Sequence, residues 1–181
     1  MRIRSGRAED VPAVLAMYDS AVAWLAAEGR TGQWGGEPFS SDPARVELVT
    51  AHAASGGMRI AEVEGRPAGC AVLGAPISYI APASEPELYV QALVIDQAFA
   101  GHAVGAALLR RARQEAVELG VSLLRVDCYA GGDGRLVKYY EGQGFTRSET
   151  FMVGDWPGQL LEMPLNAGSR SGDAREAPRL L

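Results

Sequence analysis

The sequence has little of the residue types that mark disulfide-rich and metal-binding proteins. Only two cysteines occur in 181 residues, Cys70 and Cys128, and each lies inside an apolar run. We therefore expect two buried free thiols and no disulfide framework. The only histidines are His52 and His102, and no CxxC or His/Cys cluster is present. The sequence therefore predicts no metal site.

Excess positive charge and long apolar runs are also missing. Lys and Arg number 17 against 22 Asp and Glu, which gives a net charge of −5. An acidic chain is a poor match for a phosphate backbone, so we do not expect nucleic acid as a partner. No run approaches about 18 apolar residues, and residues 1–10 contain no apolar h-region, so we expect no membrane contact and a cytoplasmic location.

The remaining composition is that of an ordinary globular protein. Hydrophobic residues make up 48% of the chain and charged residues 22%, and the length suits one domain with a sizeable core. We predict a single domain over residues 1–166. Residues 167–181 are mostly polar or small, and we predict a disordered tail there.

Hydrophobic periodicity, turn residues and caps predict an α+β fold. The predicted elements are a strand at 2–4, helices at 8–27 and 43–54, strands at 58–63, 67–73 and 87–95, a helix at 103–119, a strand at 121–129, a helix at 134–141, and strands at 146–153 and 160–165. The order implies one βαβ crossover, from the strand at 87–95 to the strand at 121–129, within a largely antiparallel sheet.

Small residues open the predicted helix after the fourth strand. The segment 101–107 reads GHAVGAA, with Gly101 and Gly105 as its tightest positions. A helix N-terminus offers unpaired N–H groups, which bind anions where small residues let the backbone come close. The segment matches neither GxxxxGK[ST] nor GxGxxG. Taken alone, it is equally an ordinary helix start with small residues for packing.

A second motif gives this segment a context. Asp133 lies seven residues before Tyr140, and Gly144-Phe145 follows. With the strand and turn at 88–107, this pattern resembles the GNAT superfamily of acetyl-CoA-dependent N-acyltransferases, which carries a glycine-containing turn after its fourth strand and then Asn, Tyr and Gly-Phe. The resemblance is sharpest over residues 87–145.

The chain departs from the family pattern at three positions. Ala100 stands where the family usually has Arg or Gln, and Ala103 stands where it has the first glycine of the turn. Asp133 stands where the family often has Asn. In the family, backbone amides of the turn hold the pyrophosphate, so binding there does not depend on the side chain at position 100.

The resemblance implies the fold and the co-substrate. It implies a mixed, mostly antiparallel twisted sheet of six to seven strands, flanked by about four helices, with splayed fourth and fifth strands. Acetyl-CoA would enter that gap as co-substrate. The cofactor-binding residues implied are Leu93, Val94, Ile95, Gly101, His102, Ala103, Val104, Gly105, Ala106, Asp133 and Tyr140.

The resemblance also implies the catalytic residues. Tyr140 matches the family's general acid, and a phenol with an ordinary pKa of about 10 is protonated at neutral pH. Glu87, on the fourth strand, is our candidate for the general base, because family bases often come from this strand. Asp127 and a bound water are the alternatives. Without the resemblance, Tyr140 would be read as a core aromatic and Glu87 as a solvated carboxylate.

The predicted acceptor site lies on the loop between the first two helices. Trp34, Glu37 and Phe39 are its candidate residues, with Trp24 and Tyr79 behind them. Trp34 is equally interpretable as a packing anchor for the loop. The function expected is acetyl transfer to a primary amine, by direct attack in a ternary complex. The favoured acceptor is a small molecule, and a protein N-terminus or lysine is the alternative.

Two other functions remain open from the sequence. One is a regulatory module that binds acyl-CoA without catalysis, and the other is a transferase that uses a different acyl-CoA. A homodimer through the last strands is implied by the resemblance alone.

Overall fold

The computed structural model describes residues 1–165, which form one seven-stranded sheet with α-helices on both faces. The elements are β1 Arg2–Ser5, α1 Val11–Ala27, α2 Pro43–Ala54, β2 Met58–Val63, β3 Arg66–Gly74, β4 Glu87–Ile95, α3 Val104–Glu118, β5 Leu123–Tyr129, α4 Arg135–Gly142, β6 Thr146–Val153 and β7 Trp156–Pro164. The predicted tail at 167–181 lies outside the described residues. Within residues 1–165, no helix has both the length and the apolar character needed to cross a membrane.

The strand order is β1-β2-β3-β4-β5-β7-β6, and every neighbouring pair is antiparallel except β4 with β5. The single parallel pair arises from the crossover through α3, as the alternation of elements predicted. The expected mixed sheet with four helices is therefore confirmed.

The core forms two layers because strand side chains alternate between the faces of the sheet. On one face, α1 and α2 bury Met17, Val22 and Val49 against β2 and β3. On the other face, α3 and α4 bury their apolar stripes against β4, β5 and β7. Cys70 belongs to the first layer and Cys128 to the second, and both are buried and unpaired, as predicted.

The pairing of β4 with β5 ends halfway along both strands. It runs from Glu87 opposite Leu123 to Val90 opposite Val126 and stops there, although each strand continues. At the same level the register of β3 with β4 shifts, so that Gln91 is an extra residue in β4. A β-bulge bends and twists its strand. The bend separates the two strands, which confirms the predicted splay.

The last strand begins four residues earlier than predicted. The predicted strand covers 160–165, whereas β7 spans Trp156–Pro164 and so includes Pro157 and Gly158, two residue types that are locally unfavourable in a strand. Pairing on both sides overrides that local signal, since β5 and β6 flank β7. Gly158 fits because the Phe151 ring lies over it, and a Cβ there would come within 2.2 Å of that ring.

Candidate active site

The gap between β4 and β5 opens into a cavity of about 520 Å³. Residues 91–95 of β4 form one wall, and residues 127–129 of β5 form the opposite wall. Helix α1 and the loop after it close one side, while α4 closes the other. The cavity thus lies where the sheet has lost its backbone pairing.

Aromatic side chains make up a third of the residues that line this cavity. All three tryptophans of the chain and five of its six tyrosines contribute, namely Trp24, Trp34, Trp156, Tyr18, Tyr79, Tyr129, Tyr139 and Tyr140. The Trp156 indole N–H donates to the Gln33 carbonyl at 3.1 Å, which ties the β6–β7 hairpin to the loop between α1 and α2. Several elements distant in sequence therefore converge on one apolar, aromatic space.

Tyr140 lies on α4 and reaches the cavity from the α3/α4 face of the sheet. Its ring packs against Phe145 and Tyr139, at centroid distances of 5.9 and 5.5 Å. Burial raises the pKa of Tyr140 well above its ordinary value. Among the side-chain hydrogen bonds of residues 1–165, none involves its hydroxyl. Tyr140 is therefore a protonated phenol whose proton is available to the cavity.

Asp127 lies on β5 and lines the cavity from the opposite face of the sheet. The Tyr89 hydroxyl donates to its Oδ1 at 2.6 Å, and the Tyr79 hydroxyl donates to its Oδ2 at 3.3 Å. Burial raises the pKa of Asp127, and these two hydrogen bonds offset the rise only in part. Asp127 is thus a carboxylate held by neutral groups.

Glu87, our candidate base, does not reach this cavity. It lies at the start of β4, where β4 and β5 still pair, and Arg125 contacts both of its carboxylate oxygens at 2.6 and 2.8 Å. Burial alone would raise the pKa of Glu87, but the bonds from Arg125 and the Ala83 amide outweigh burial and lower it. The structure thus places Glu87 in a buried ion pair, outside the cavity that Tyr140 lines.

Besides Tyr140, three of the predicted cofactor residues, Leu93, Val94 and Ile95, line the cavity. One edge of this segment pairs with β3, from Leu93 opposite Ala71 to Ile95 opposite Gly69. Its other edge has no strand beside it, because the β4–β5 pairing ends earlier. Backbone groups along residues 93–95 are therefore free to bond a ligand in the gap.

The predicted phosphate turn, residues 101–106, lies at the N-terminus of α3, outside the cavity lining. Gly101 and Ala103 adopt left-handed backbone conformations, with φ of +81° and +55°. The first helical hydrogen bond runs from the Ala107 N–H to the Ala103 carbonyl, so the N–H groups of Val104, Gly105 and Ala106 have no partner within the helix.

The side chains of Tyr139 and His102 pack beside this helix end. A Cβ on Gly105 would come within 2.3 Å of the Tyr139 hydroxyl, so only glycine lets that ring lie against α3. The His102 Nδ1 lies 3.2 Å from the carbonyl oxygens of both Phe99 and Ala100, and this contact folds the ring back onto the turn.

Asp133 lies two residues before the first residue of α4. Its carboxylate accepts from the Arg135 N–H at 3.1 Å and pairs with the side chains of Arg135 at 2.6 Å and Arg30 at 3.6 Å. The backbone hydrogen bond from Arg135, more than the two guanidinium groups, lowers the pKa of Asp133. The cavity lining does not include Asp133.

The three predicted acceptor residues separate in the structure. Trp34 lines the cavity and packs edge-on against Tyr18 at 5.4 Å. Phe39 is buried and stacks on Tyr18 at 4.1 Å, behind the cavity wall, and Glu37 is exposed on the loop outside it. Sequence reasoning missed Trp156 and Tyr129, for which the sequence carries no signal until the β6–β7 hairpin is folded over the α1–α2 loop.

Comparisons with known proteins agree with this geometry. The family model described as the acetyltransferase (GNAT) family matches residues 19–145. The ribosomal-protein-alanine N-acetyltransferase of Brucella melitensis superposes with a TM-score of 0.66 at 23% identity, covering 91% of this chain and 100% of that one. None of the curated proteins gives a significant match to the sequence.

Two further solved structures are similar over nearly the whole described chain. A protein assigned as a phosphinothricin N-acetyltransferase has a TM-score of 0.68 at 26% identity, covering 90% of this chain and 97% of its own. The acetyltransferase yncA of Salmonella typhimurium, solved with its cofactor acetyl-CoA, has a TM-score of 0.64 at 19% identity, covering 93% and 95%. With a split β4–β5 pair, a tyrosine on α4 and a family match over most of its length, the chain belongs to the GNAT family of acetyltransferases.

Proposed function

We propose that this protein transfers the acetyl group of acetyl-CoA to a primary amine of a small molecule, by direct attack of the amine. The observation that carries the proposal is the cavity at the β4–β5 split, with the Tyr140 hydroxyl entering from one face. Two similar structures support the reaction type, since one is assigned to phosphinothricin and the other holds acetyl-CoA.

The residues around the split fit acetyl-CoA as a co-substrate. The free edge of residues 93–95 suits the amides of the pantetheine arm, and the unpaired N–H groups at the start of α3 suit its diphosphate. Glycine at position 105 leaves room for the Tyr139 side chain beside that helix end, because any side chain at this position would collide with Tyr139. Bound there, acetyl-CoA supplies an activated thioester carbonyl.

Tyr140 acts as the general acid in this proposal. As the new carbon–nitrogen bond forms, the carbon–sulfur bond breaks and Tyr140 gives its hydroxyl proton to the departing sulfur. The raised pKa of the buried phenol keeps it protonated until that step. Glu87 takes no part, since Arg125 holds its carboxylate outside the cavity.

The test combines one substitution with two measurements. Thiol release from acetyl-CoA is followed across a panel of aliphatic amines, arylalkylamines, amino acids and a lysine peptide. For Tyr140→Phe we expect kcat to fall about 100-fold, within the range typical of general acid catalysis. The affinity for coenzyme A, measured by calorimetry, should stay within about twofold, because the phenyl ring still fills the same buried site.

Three outcomes would contradict the proposal. An unchanged kcat in Tyr140→Phe would remove the role assigned to the hydroxyl. Coenzyme A binding without thiol release from any amine would indicate a regulatory acyl-CoA module instead. Release from a longer acyl-CoA but not from acetyl-CoA would change the donor while leaving the mechanism in place.

A further inference from the structure

Asp127 lies at the point of β5 where the pairing with β4 ends. Val126 is the last residue of that strand paired with β4, and Asp127 is the first beyond the split. Val126 and Cys128 pack in the same layer as Tyr140, so the Asp127 side chain points to the other face. Asp127 and Tyr140 therefore approach the gap from opposite sides of the sheet, as two groups on either side of a reacting centre would.

Neutral donors alone hold this carboxylate. Tyr89 is fully buried and donates to Oδ1, and Tyr79, on the loop between β3 and β4, donates to Oδ2. None of the ion pairs formed within residues 1–165 includes Asp127. Asp127 is half-buried. Carboxylates withdrawn from water are normally paired with a cation, and no such cation comes from residues 1–165, so this carboxylate can accept one from a ligand.

Asp127 is also the single acidic residue in the lining of the cavity. Of the arginines that line the same space, both Arg30 and Arg135 pair with Asp133. Eight Trp and Tyr side chains contribute to the remaining walls beside aliphatic residues, and faces of Trp and Tyr attract cations and pack flat apolar groups. The cavity thus combines one unpaired anionic end with an aromatic body.

We propose that Asp127 receives the amino group of the acceptor, and that the acceptor is a primary amine carried on a flat, apolar body. This proposal rests on the proposed acetyl transfer. The ammonium group docks on the carboxylate, and one of its protons passes to Asp127 and then to solvent, which leaves a neutral nitrogen to attack the thioester carbon. The proton that this nitrogen loses next replaces the one that Tyr140 gives to the sulfur, so protons balance. Tyr79 and Tyr89 are positioning residues for the carboxylate.

The surroundings of Asp127 determine the expected pH dependence. The titratable groups that face it are Tyr89 on β4, Tyr79 on the loop, Tyr140 on α4 and its neighbour Cys128. Burial raises the pKa of all four, so none of them changes charge below neutral pH. Among these groups Asp127 is the one that titrates on the acid side, at a pH above the usual 3.9 of an aspartate. His52 also lines the cavity and burial lowers its pKa, but its titration is common to the wild type and Asp127→Asn.

The first experiment measures binding, because binding does not depend on turnover. Phenethylamine and its uncharged analogue 2-phenylethanol are titrated against the protein, and the fluorescence of the three tryptophans reports occupancy of the cavity. We expect the amine to bind at least tenfold tighter than the alcohol. Asp127→Asn should abolish that preference. Glu162→Gln, a carboxylate on the neighbouring strand β7 that lies outside the cavity, should retain it.

The second experiment measures kcat/KM against pH with the best amine of the panel. We expect an acid limb in the wild type that disappears in Asp127→Asn, together with a loss of about 100-fold at neutral pH. Tyr89→Phe removes a donor to the carboxylate, so its acid limb should move to higher pH. This second variant keeps the proposal testable should Asp127→Asn fail to fold.

The outcomes separate this proposal from the proposed function. Equal binding of amine and alcohol by the wild type, or an unchanged preference in Asp127→Asn, would overturn the role of Asp127 even if acetyl transfer occurs. Binding of neither compound would overturn the acceptor class. Absence of thiol release with every amine would overturn the proposed function, while the binding preference would still report on the carboxylate.

Discussion

Two carboxylates on the same face of the sheet show how differently one fold can use an acidic side chain. Glu87 lies on β4 where the strand still pairs with β5, and Asp127 lies on β5 just beyond the point where that pairing ends. Arg125 holds Glu87 through two short ion-pair contacts, whereas only tyrosine hydroxyls hold Asp127. The pKa of Glu87 is lowered and that of Asp127 is raised, although burial pushes both upward.

The difference follows from the split in the sheet. Where β4 and β5 still pair, side chains on the two strands are close enough to meet, and Arg125 neutralises Glu87 inside the protein. Beyond it, the strands diverge around a cavity, and the described chain brings no cation to Asp127. We infer that the first carboxylate serves stability and the second serves a ligand. Substitutions of Glu87 and Asp127 test this contrast, and a substitution of Gly105 tests the cofactor side of the split.

The largest change in stability is expected for Glu87→Gln. Both partners of the Glu87–Arg125 pair are less than a tenth exposed, so loss of the carboxylate charge leaves a buried guanidinium without its counter-ion. Removing one partner of such a pair costs about 3 kcal/mol. Urea unfolding at pH 7 measures the loss, and Glu149→Gln, at an exposed position of β6, is the matched control.

The pH dependence of that loss has a defined sign. The folded-state pKa of Glu87 is lowered, so its contribution is fully present above the ordinary glutamate pKa of about 4.3 and is lost as the pH falls through the folded-state value. The difference in the free energy of unfolding between wild type and Glu87→Gln should therefore become smaller at acid pH. A gap that stays constant down to about pH 2 would contradict the ion-pair explanation.

A smaller change in stability, of opposite sign, is expected for Asp127→Asn. Because the folded-state pKa of Asp127 is raised, its favourable contribution is present below about pH 3.9 and is lost as the pH rises through the folded-state value. At pH 7 the asparagine variant should be more stable than the wild type by about 1 kcal/mol, which is the usual direction of a trade between stability and activity. Reduced stability at pH 7 would mean that Asp127 is structural, as Glu87 is.

The smallest effect is expected for Gly105→Ala, which acts on the cofactor side of the split. Its Cβ would lie 2.3 Å from the Tyr139 hydroxyl, at the far end of a partly exposed side chain that can move away. We expect coenzyme A affinity to fall severalfold while the free energy of unfolding changes by less than about 1 kcal/mol. Combining it with Tyr139→Phe, which removes the colliding oxygen, should restore most of the affinity; no recovery would place the cause elsewhere.

Much of the fold could be predicted from sequence, because local signals agree with the tertiary structure. The apolar run of β4 gives both of its ends correctly, and the predicted helix at 43–54 has its start fixed by Asp42, which accepts from the Ala44 N–H at 2.9 Å. The splay of β4 and β5 came from the family resemblance and not from the pattern itself. The start of β7 was wrong, because Pro157 and Gly158 indicate a turn unless two neighbouring strands are already in place.

The roles of the acidic residues could not be predicted, since they depend on contacts distant in sequence. Strand alternation places Glu87, Tyr89 and Gln91 on one face, but the bulge at Gln91 breaks that alternation at the edge of the site. The partner of Glu87 lies 38 residues away, and so does the tyrosine that holds Asp127. No spacing in the sequence reveals which carboxylate meets an arginine and which meets a phenol.

The most direct test of the account compares these two carboxylates in one assay. Thiol release from acetyl-CoA is measured at pH 7.5 with the best amine of the panel, for wild type, Asp127→Asn and Glu87→Gln, each corrected for its folded fraction. We predict a rate about 100-fold lower for Asp127→Asn and a rate within about twofold of wild type for Glu87→Gln. The reverse pattern, with Glu87→Gln inactive and Asp127→Asn active, would contradict it.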